Sequence, residues 1–305
     1  MTYTAFARPG ELQAAIDALP RDGQEAVLRL AEGVYREKIV LDRPHTTLEG
    51  QGADRTRIVW DDGAKTILAD GLKRGTFRTA TLRTDGEGIT LRGLTVENGA
   101  APLEAAGQAI ALYADGDGFR CEDCVLIGRQ DTLFTAPLPE KEFEPGGFRG
   151  PKEHAPRTPQ RHRYLRCRIE GCVDFIFGGA AALFEDCELA TVPGGEGEAS
   201  LPTKKYWVTA PSTPAGQKTG YVFHRCRFTG APGLPRGSAF IARPWRDGGK
   251  VALIGCEIDG AYHPDRFEPW GDRRGLWAMR DSGAVPEGVR VLSEEEAAAH
   301  LRLVL

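Results

Sequence analysis

Apolar and polar residues alternate along this chain in short runs, and few of those runs have the length or period of a helix. Ala26–Leu30, Lys38–Leu41, Thr46–Gly50 and Arg57–Trp60 each read as a strand, because apolar positions recur every second residue between turn-forming groups. Gly88 to Asn98 reads as two further short strands with a turn at Gly93. A pattern apolar-x-x-Cys-x-apolar then returns around Cys124, Cys167, Cys187, Cys226 and Cys256, at separations of 43, 20, 39 and 30 residues. A constant motif at irregular spacing is what stacked coils with variable loops produce, since each coil sets an equivalent inward residue on the one before. The expectation is an all-β parallel β-helix, a single domain over residues 1–305, with the cysteines forming an internal ladder.

Two helices are expected at the termini. Leu12, Ala15, Ile16 and Leu19 share one face between Gly10 and Leu19, with Pro20 as a stop. Ser293 followed by Glu296 is a capping box opening a short helix. Both are expected to close the exposed ends of the solenoid. The longest interruption, Thr135 to Arg163, is rich in proline, glycine and charge, and is expected to wall a cleft. A second polar excursion, Pro193 to Lys205, is expected to face it.

Composition narrows the function. With 41% hydrophobic and 27% charged residues the chain can bury a large core, and its net charge of −4 gives no basis for binding nucleic acid through bulk charge. No apolar run reaches the length of a membrane span. Seven cysteines is an odd number, and Cys121 and Cys124 lack a second pair with which to hold zinc. Free buried thiols in a reducing compartment are expected. The amino terminus lacks the basic-then-apolar pattern of a secretion signal, so the expected location is the cytoplasm, or outside the cell if a leader has been removed. A monomer without metal or cofactor is expected.

The candidate chemistry centres on Asp174, set between Val173 and Phe175-Ile176-Phe177. A carboxylate among such neighbours is costly to desolvate unless a cation or hydrogen-bond donors hold it. A lone aspartate of this kind can simply turn a strand. Here a second one, Asp131, stands in a similar setting beside Gln130, and Gln108, Arg243 and Trp245 add an amide donor, a cation and a flat apolar face. Together these residue types suit acyl transfer: one carboxylate as nucleophile, the other as acid and then base, and amides for the oxyanion. A carboxylate pair also suits glycosidic cleavage, and residue types alone leave both open. Trp245, following a proline, has plain packing as its alternative role.

Five blocks occur in order: Gly33-Val34-Tyr35-Arg36-Glu37, Gln108-Ala109-Ile110-Ala111-Leu112, Gln130-Asp131-Thr132-Leu133, Asp174-Phe175-Ile176-Phe177-Gly178 and Arg243-Pro244-Trp245. This series resembles the signature of the pectin methylesterases, carbohydrate esterases that demethylate polygalacturonate, over about Gly10 to Trp270. The resemblance implies a right-handed parallel β-helix without a metal. It implies that Asp174 attacks the C6 methyl ester of a galacturonate unit, that Asp131 protonates methanol and then activates water, that Gln108 and Gln130 hold the oxyanion, and that Arg243 holds Asp174. It places Trp245 in the sugar cleft, with Phe134 and Phe177 as further walls, and makes methylated galacturonan or oligogalacturonide the partner.

The chain departs from that family pattern at Ala242, where a glycine is usual, at Phe134, where a tyrosine is frequent, and over Leu276–Asp281. The Thr135–Arg163 excursion is also longer than in plant relatives. With the expected location, such loops favour short oligogalacturonides over polymer. Two other readings share these residues: the same fold and mechanism on another ester or thioester, and a carbohydrate-binding β-helix without catalysis.

Overall fold

The computed structural model describes residues 2–194, 205–302 and 304. Its strands form three parallel sheets of eleven, seven and eight members, and successive coils visit the sheets in a fixed rotation. One coil runs through Phe119–Glu122, Val125–Ile127 and Leu133–Thr135, and the next through Arg161–Leu165, Arg168–Gly171 and Val173–Gly178. Each strand pairs in parallel with its equivalent in the coils before and after, as Leu126 does with Val96 and Ile169. This is a parallel β-helix. In the seven-stranded sheet most strands are buried on both faces, which explains why Ala239–Ala242 reads as a continuous apolar run, whereas strands of the other two sheets such as Arg161–Leu165 and Arg168–Gly171 alternate.

The recurring motif is the corner between the eleven- and eight-stranded sheets. The residue before each cysteine has a left-handed backbone: Asp123, Arg166, Asp186 and Arg225 at φ 50–53° and Gly255 at 62°. Arginine has no intrinsic preference for that conformation. Across the coils, however, Arg166 donates to both oxygens of Asp123 at 2.7 Å, and Arg225 to both of Asp186 at 2.8 Å. These pairs are exposed and worth about 0–1 kcal/mol each, so they fix register more than they stabilise. Inside the corner, four of the five thiols donate to a carbonyl one coil back: Cys167 to Cys121 at 3.3 Å, Cys187 to Tyr164 at 3.4 Å, Cys226 to Phe184 at 3.2 Å and Cys256 to Phe223 at 3.3 Å. The expected ladder is therefore present, and all seven cysteines are free and buried. Beside it the rings of Tyr164, Phe184 and Phe223 stack at 4.6 and 4.7 Å.

The two terminal helices do different work. Leu12–Asp17 sends Leu12 and Ile16 into the main core beside Leu30, Ile39 and Leu41, closing the amino-terminal end as expected. Its first turn is held by Glu37, whose carboxylate accepts from the backbone N–H groups of Gly10, Leu12 and Gln13 at 2.8–3.3 Å. The carboxy-terminal helix, Glu294–Arg302, has the expected capping box, with Ser293 and Glu296 bonded reciprocally at 2.9 and 3.2 Å. It does not close the end. Its Ala297 packs with Ala181, Leu183, Val222, Ala252 and Ile254, the outward residues of the eleven-stranded sheet, whose neighbours Ala182, Phe184 and Phe223 point inward. Strand alternation gives that sheet an apolar outer face, and the helix covers it.

The long excursion leaves the seven-stranded sheet after Thr135 and enters the eleven-stranded one at Arg161. Its Phe148 is buried against Phe77, so it does wall one side of the groove over that sheet. The Pro193–Lys205 excursion lies almost wholly outside the described residues. Gly178 marks a close approach between coils: at φ 124°, a Cβ there would stand 2.0 Å from the Thr135 carbonyl oxygen of the preceding coil.

Candidate active site

Parallel register assembles the site from successive coils of the seven-stranded sheet. The Ala109 N–H donates to the Gln130 carbonyl at 3.0 Å, and the Asp131 N–H to the Val173 carbonyl at 3.1 Å. Gln108, Gln130–Asp131 and Asp174 are thereby set side by side, although they are far apart in the chain. Both aspartates adopt the left-handed backbone, Asp131 at φ 65° and Asp174 at φ 48°. Asp174 also sits in a bulge, where Val173 to Ile176 oppose Trp207 to Thr209. In an unbroken strand alternate residues face the core; the bulge lets Val173, Phe175 and Ile176 all pack inward while Asp174 faces the cleft. Conformations of this kind cost about 1–3 kcal/mol each and are held where geometry is needed for function.

Arg243 holds Asp174 in a forked pair, Nε to Oδ1 at 2.8 Å and Nη2 to Oδ2 at 2.6 Å. Its guanidinium is clamped between two tryptophans, with its central carbon 3.8 Å from the Trp207 ring and 3.9 Å from that of Trp270. Trp207 is fixed in turn by its indole N–H donating to Glu268 at 2.8 Å. The Asp131 carboxyl, by contrast, has no hydrogen-bond partner among the described residues.

This difference separates the two carboxyls. Burial pushes both upward from the ordinary carboxylate value. For Asp174 the adjacent Arg243 opposes that shift, whereas Asp131 is driven well above by burial and then by the charge of Asp174. Asp131 is the member that keeps a proton. Its folded-state affinity for that proton exceeds the unfolded one, so its contribution to stability is complete below the ordinary aspartate value and is lost as pH rises through the raised one. Asp131→Asn, which cannot ionise, is expected to raise Tm by a few degrees at neutral pH. The gain should shrink towards zero at pH 3, and a Tm difference independent of pH would contradict the burial argument.

The cleft over these groups is lined by Thr76, Phe77, Gln108, Gln130, Asp131, Gly147, Asp174, Phe177, Trp245 and Trp270, among others. The side-chain amides of Gln108 and Gln130 have no protein partner among the described residues, so their N–H groups are free for a ligand. Trp245 is half-buried, with its edge against Phe148 at 6.1 Å and Phe177 at 5.6 Å. Phe134 corrects the expectation: it is fully buried, 4.7 Å from Tyr113 and 4.9 Å from Phe177, and supports the cleft floor without reaching its surface. Sequence reading passed over Trp207, Trp270, Thr76 and Phe77. Trp207 joins the site only through Arg243, Trp270 both stacks on Arg243 and lines the cleft, and no local pattern announces either.

The pectinesterase family model matches residues 7–139 and 155–281. Among curated proteins, the probable pectinesterase/pectinesterase inhibitor 64 of Arabidopsis thaliana is 30% identical over 279 residues, covering 85% of this chain and 40% of that protein. Pectinesterase 31 of the same plant is 30% identical over 270 residues, covering 86% of this chain and 73% of that one. The chain thus spans about two fifths of the length of several curated relatives it matches. Among solved structures, a pectin methylesterase in complex with a hexasaccharide superposes with a TM-score of 0.78 at 22% identity, over 100% of this chain and 97% of that one. The enzyme from Yersinia enterocolitica gives 0.77 at 24% identity, over 95% and 96%. At these identities the structural likeness speaks to fold.

Proposed function

This chain belongs to the pectinesterase family, and we propose that it hydrolyses C6 methyl esters of galacturonate units in methylated galacturonan or oligogalacturonides, releasing methanol. The observation that carries this reading is a buried carboxylate clamped by Arg243 beside a second, unpartnered carboxyl that keeps its proton. An Asp174 oxygen attacks the ester carbon, and the carbonyl oxygen takes the negative charge. The side-chain amides of Gln108 and Gln130, which line the same cleft, donate to that oxyanion. Asp131 passes its proton to the departing methoxy oxygen, the C–O bond breaks, and an acyl anhydride on Asp174 remains. Water then attacks the anhydride as Asp131 takes back a proton, which restores both carboxyls and frees the galacturonate. Trp245 supplies the apolar face on which a sugar ring lies. The family neighbour solved with a hexasaccharide supports an oligosaccharide as the ligand.

The long excursion against the cleft supports short oligomers as substrates, and seven thiols without disulfides support a reducing compartment, here read as the cytoplasm. Purified protein supplied with methylated trigalacturonate and, separately, with highly methylated pectin is expected to release methanol from both without shortening either, faster per ester from the trimer. Shortened chains would indicate glycosidic cleavage, and no methanol from either substrate would move the reading to a different ester.

A further inference from the structure

Both jaws of the clamp on Arg243 trace to one short stretch, Phe267-Glu268-Pro269-Trp270. Trp270 is one jaw itself. The other, the buried Trp207, is held from that stretch, since its indole N–H donates to Glu268 Oε2 at 2.8 Å. The second Glu268 oxygen accepts from the Lys205 ammonium, so the carboxyl is tied at both oxygens. The Glu268 backbone N–H donates to the Ala242 carbonyl at 2.9 Å, one residue before Arg243. Parallel register sets these groups on successive passes of the chain: Val173 lies beside Trp207, Thr209 beside Ala242, and Ala242 bridges to Phe267. Glu268 is thus fixed against the strand that leads into Arg243, and it reaches across to the ring on which that arginine lies.

A guanidinium forked on a carboxylate needs its plane held, because a tilt bends both hydrogen bonds at once. Among the described residues the Arg243 side chain hydrogen-bonds to Asp174 alone, so the two indoles set that plane. An indole bonded to a fixed carboxyl does not turn away, and giving up its N–H enriches the ring face that meets the cation. We infer that Glu268 is a positioning residue for the esterase reaction: by holding Trp207 flat against Arg243 it keeps the guanidinium forked on Asp174. The inference rests on the esterase reading above. Glu268 does not line the cleft, so it acts through the ring and the arginine. Its two effects on Asp174 have opposite signs. Removing the Glu268 charge, which also leaves Lys205 unopposed, lowers the affinity of Asp174 for a proton and moves the acid limb of the rate profile to lower pH. Loosening Arg243 does the reverse, because that guanidinium opposes the upward push of burial. Of the charged groups acting around Asp174, namely Asp131, Arg243 and Arg273, Arg243 is the one that stacks on Trp207.

The test follows methanol release from methylated trigalacturonate against pH in wild type, E268A, E268Q, W207F and W207F/E268A. E268A should lose about tenfold in kcat with KM held, the scale of one charge-assisted hydrogen bond, and its acid limb should move to higher pH. E268Q keeps an oxygen for the indole N–H while losing the charge, so it should retain most of the rate, with its limb in place or at lower pH. W207F leaves a ring over Arg243 but no N–H to anchor it, so it should show the upward displacement by itself, and adding E268A should cost little more. An acid limb that stays or moves to lower pH in E268A or W207F, an E268Q as impaired as E268A, or additive losses in W207F/E268A would overturn the role of Glu268. Should wild type release no methanol at all, the esterase reading falls. The Asp174 carboxyl titration, followed by carbon NMR, then decides the positioning alone: a midpoint displaced upward in E268A but not in E268Q upholds it, and the same midpoint in both variants and wild type overturns it.

Discussion

Asp174→Asn is expected to lower kcat for methanol release by at least about 10⁴-fold with little change in KM, as the loss of a nucleophile does elsewhere. The amide has the same shape, so the bulge and the inward packing of Val173, Phe175 and Ile176 remain. What disappears is the charged oxygen proposed to attack and the anion that neutralises Arg243. The variant leaves Arg243 between Trp207 and Trp270 without its counter-charge, and stability should fall by about 1–3 kcal/mol. A folded variant that keeps more than a tenth of the wild-type kcat would remove Asp174 as nucleophile. The same measurement on Asp131→Asn then becomes the deciding one, because Asp131 is the other carboxyl in the cleft.

Arg243→Gln is expected to lower kcat/KM by about 10³-fold, the scale of breaking a buried charge pair. The diagnostic is the pH profile. Burial raises the Asp174 carboxyl, and Arg243 is the first of the groups opposing it. Without Arg243 the carboxyl should hold its proton to higher pH, and a protonated Asp174 does not attack. The acid limb of the rate profile must therefore move to higher pH, and part of the lost activity should return on raising the pH. Arg243→Lys keeps the charge but loses the fork to both oxygens and the flat contact with two indoles, so an intermediate rate with a smaller displacement is expected. A profile that keeps its wild-type position while the rate drops would assign Arg243 a purely structural part.

The β-helix was legible in the chain because stacking imposes one local requirement many times. At five corners between the eleven- and eight-stranded sheets the same backbone turn, inward thiol and alternation recur, so the motif around Cys124, Cys167, Cys187, Cys226 and Cys256 survives loops of varied length. Asp131 and Asp174 stood out for a related reason: carboxylates in apolar strands are expensive, and each needs an explanation near at hand. The capping box at Ser293 was equally local, and it forms as read.

Other features depended on neighbours that no local pattern names. The carboxy-terminal helix was legible, but its seat on the outer face of the eleven-stranded sheet depends on Ala181, Leu183, Val222 and Ala252 aligning across separate coils. Phe134 follows Gln130-Asp131 closely, yet the rings of Tyr113 and Phe177 enclose it beneath the floor. Trp207 enters the site only by stacking on Arg243, and Trp270 by stacking on Arg243 and by lining the cleft from a separate coil. Repetition and desolvation cost are properties of short stretches, so residue order alone carries the coil and its exceptional carboxylates. Which of those carboxylates is driven further upward, and which rings line the cleft, depends on distances between coils that exist only once the chain has wound.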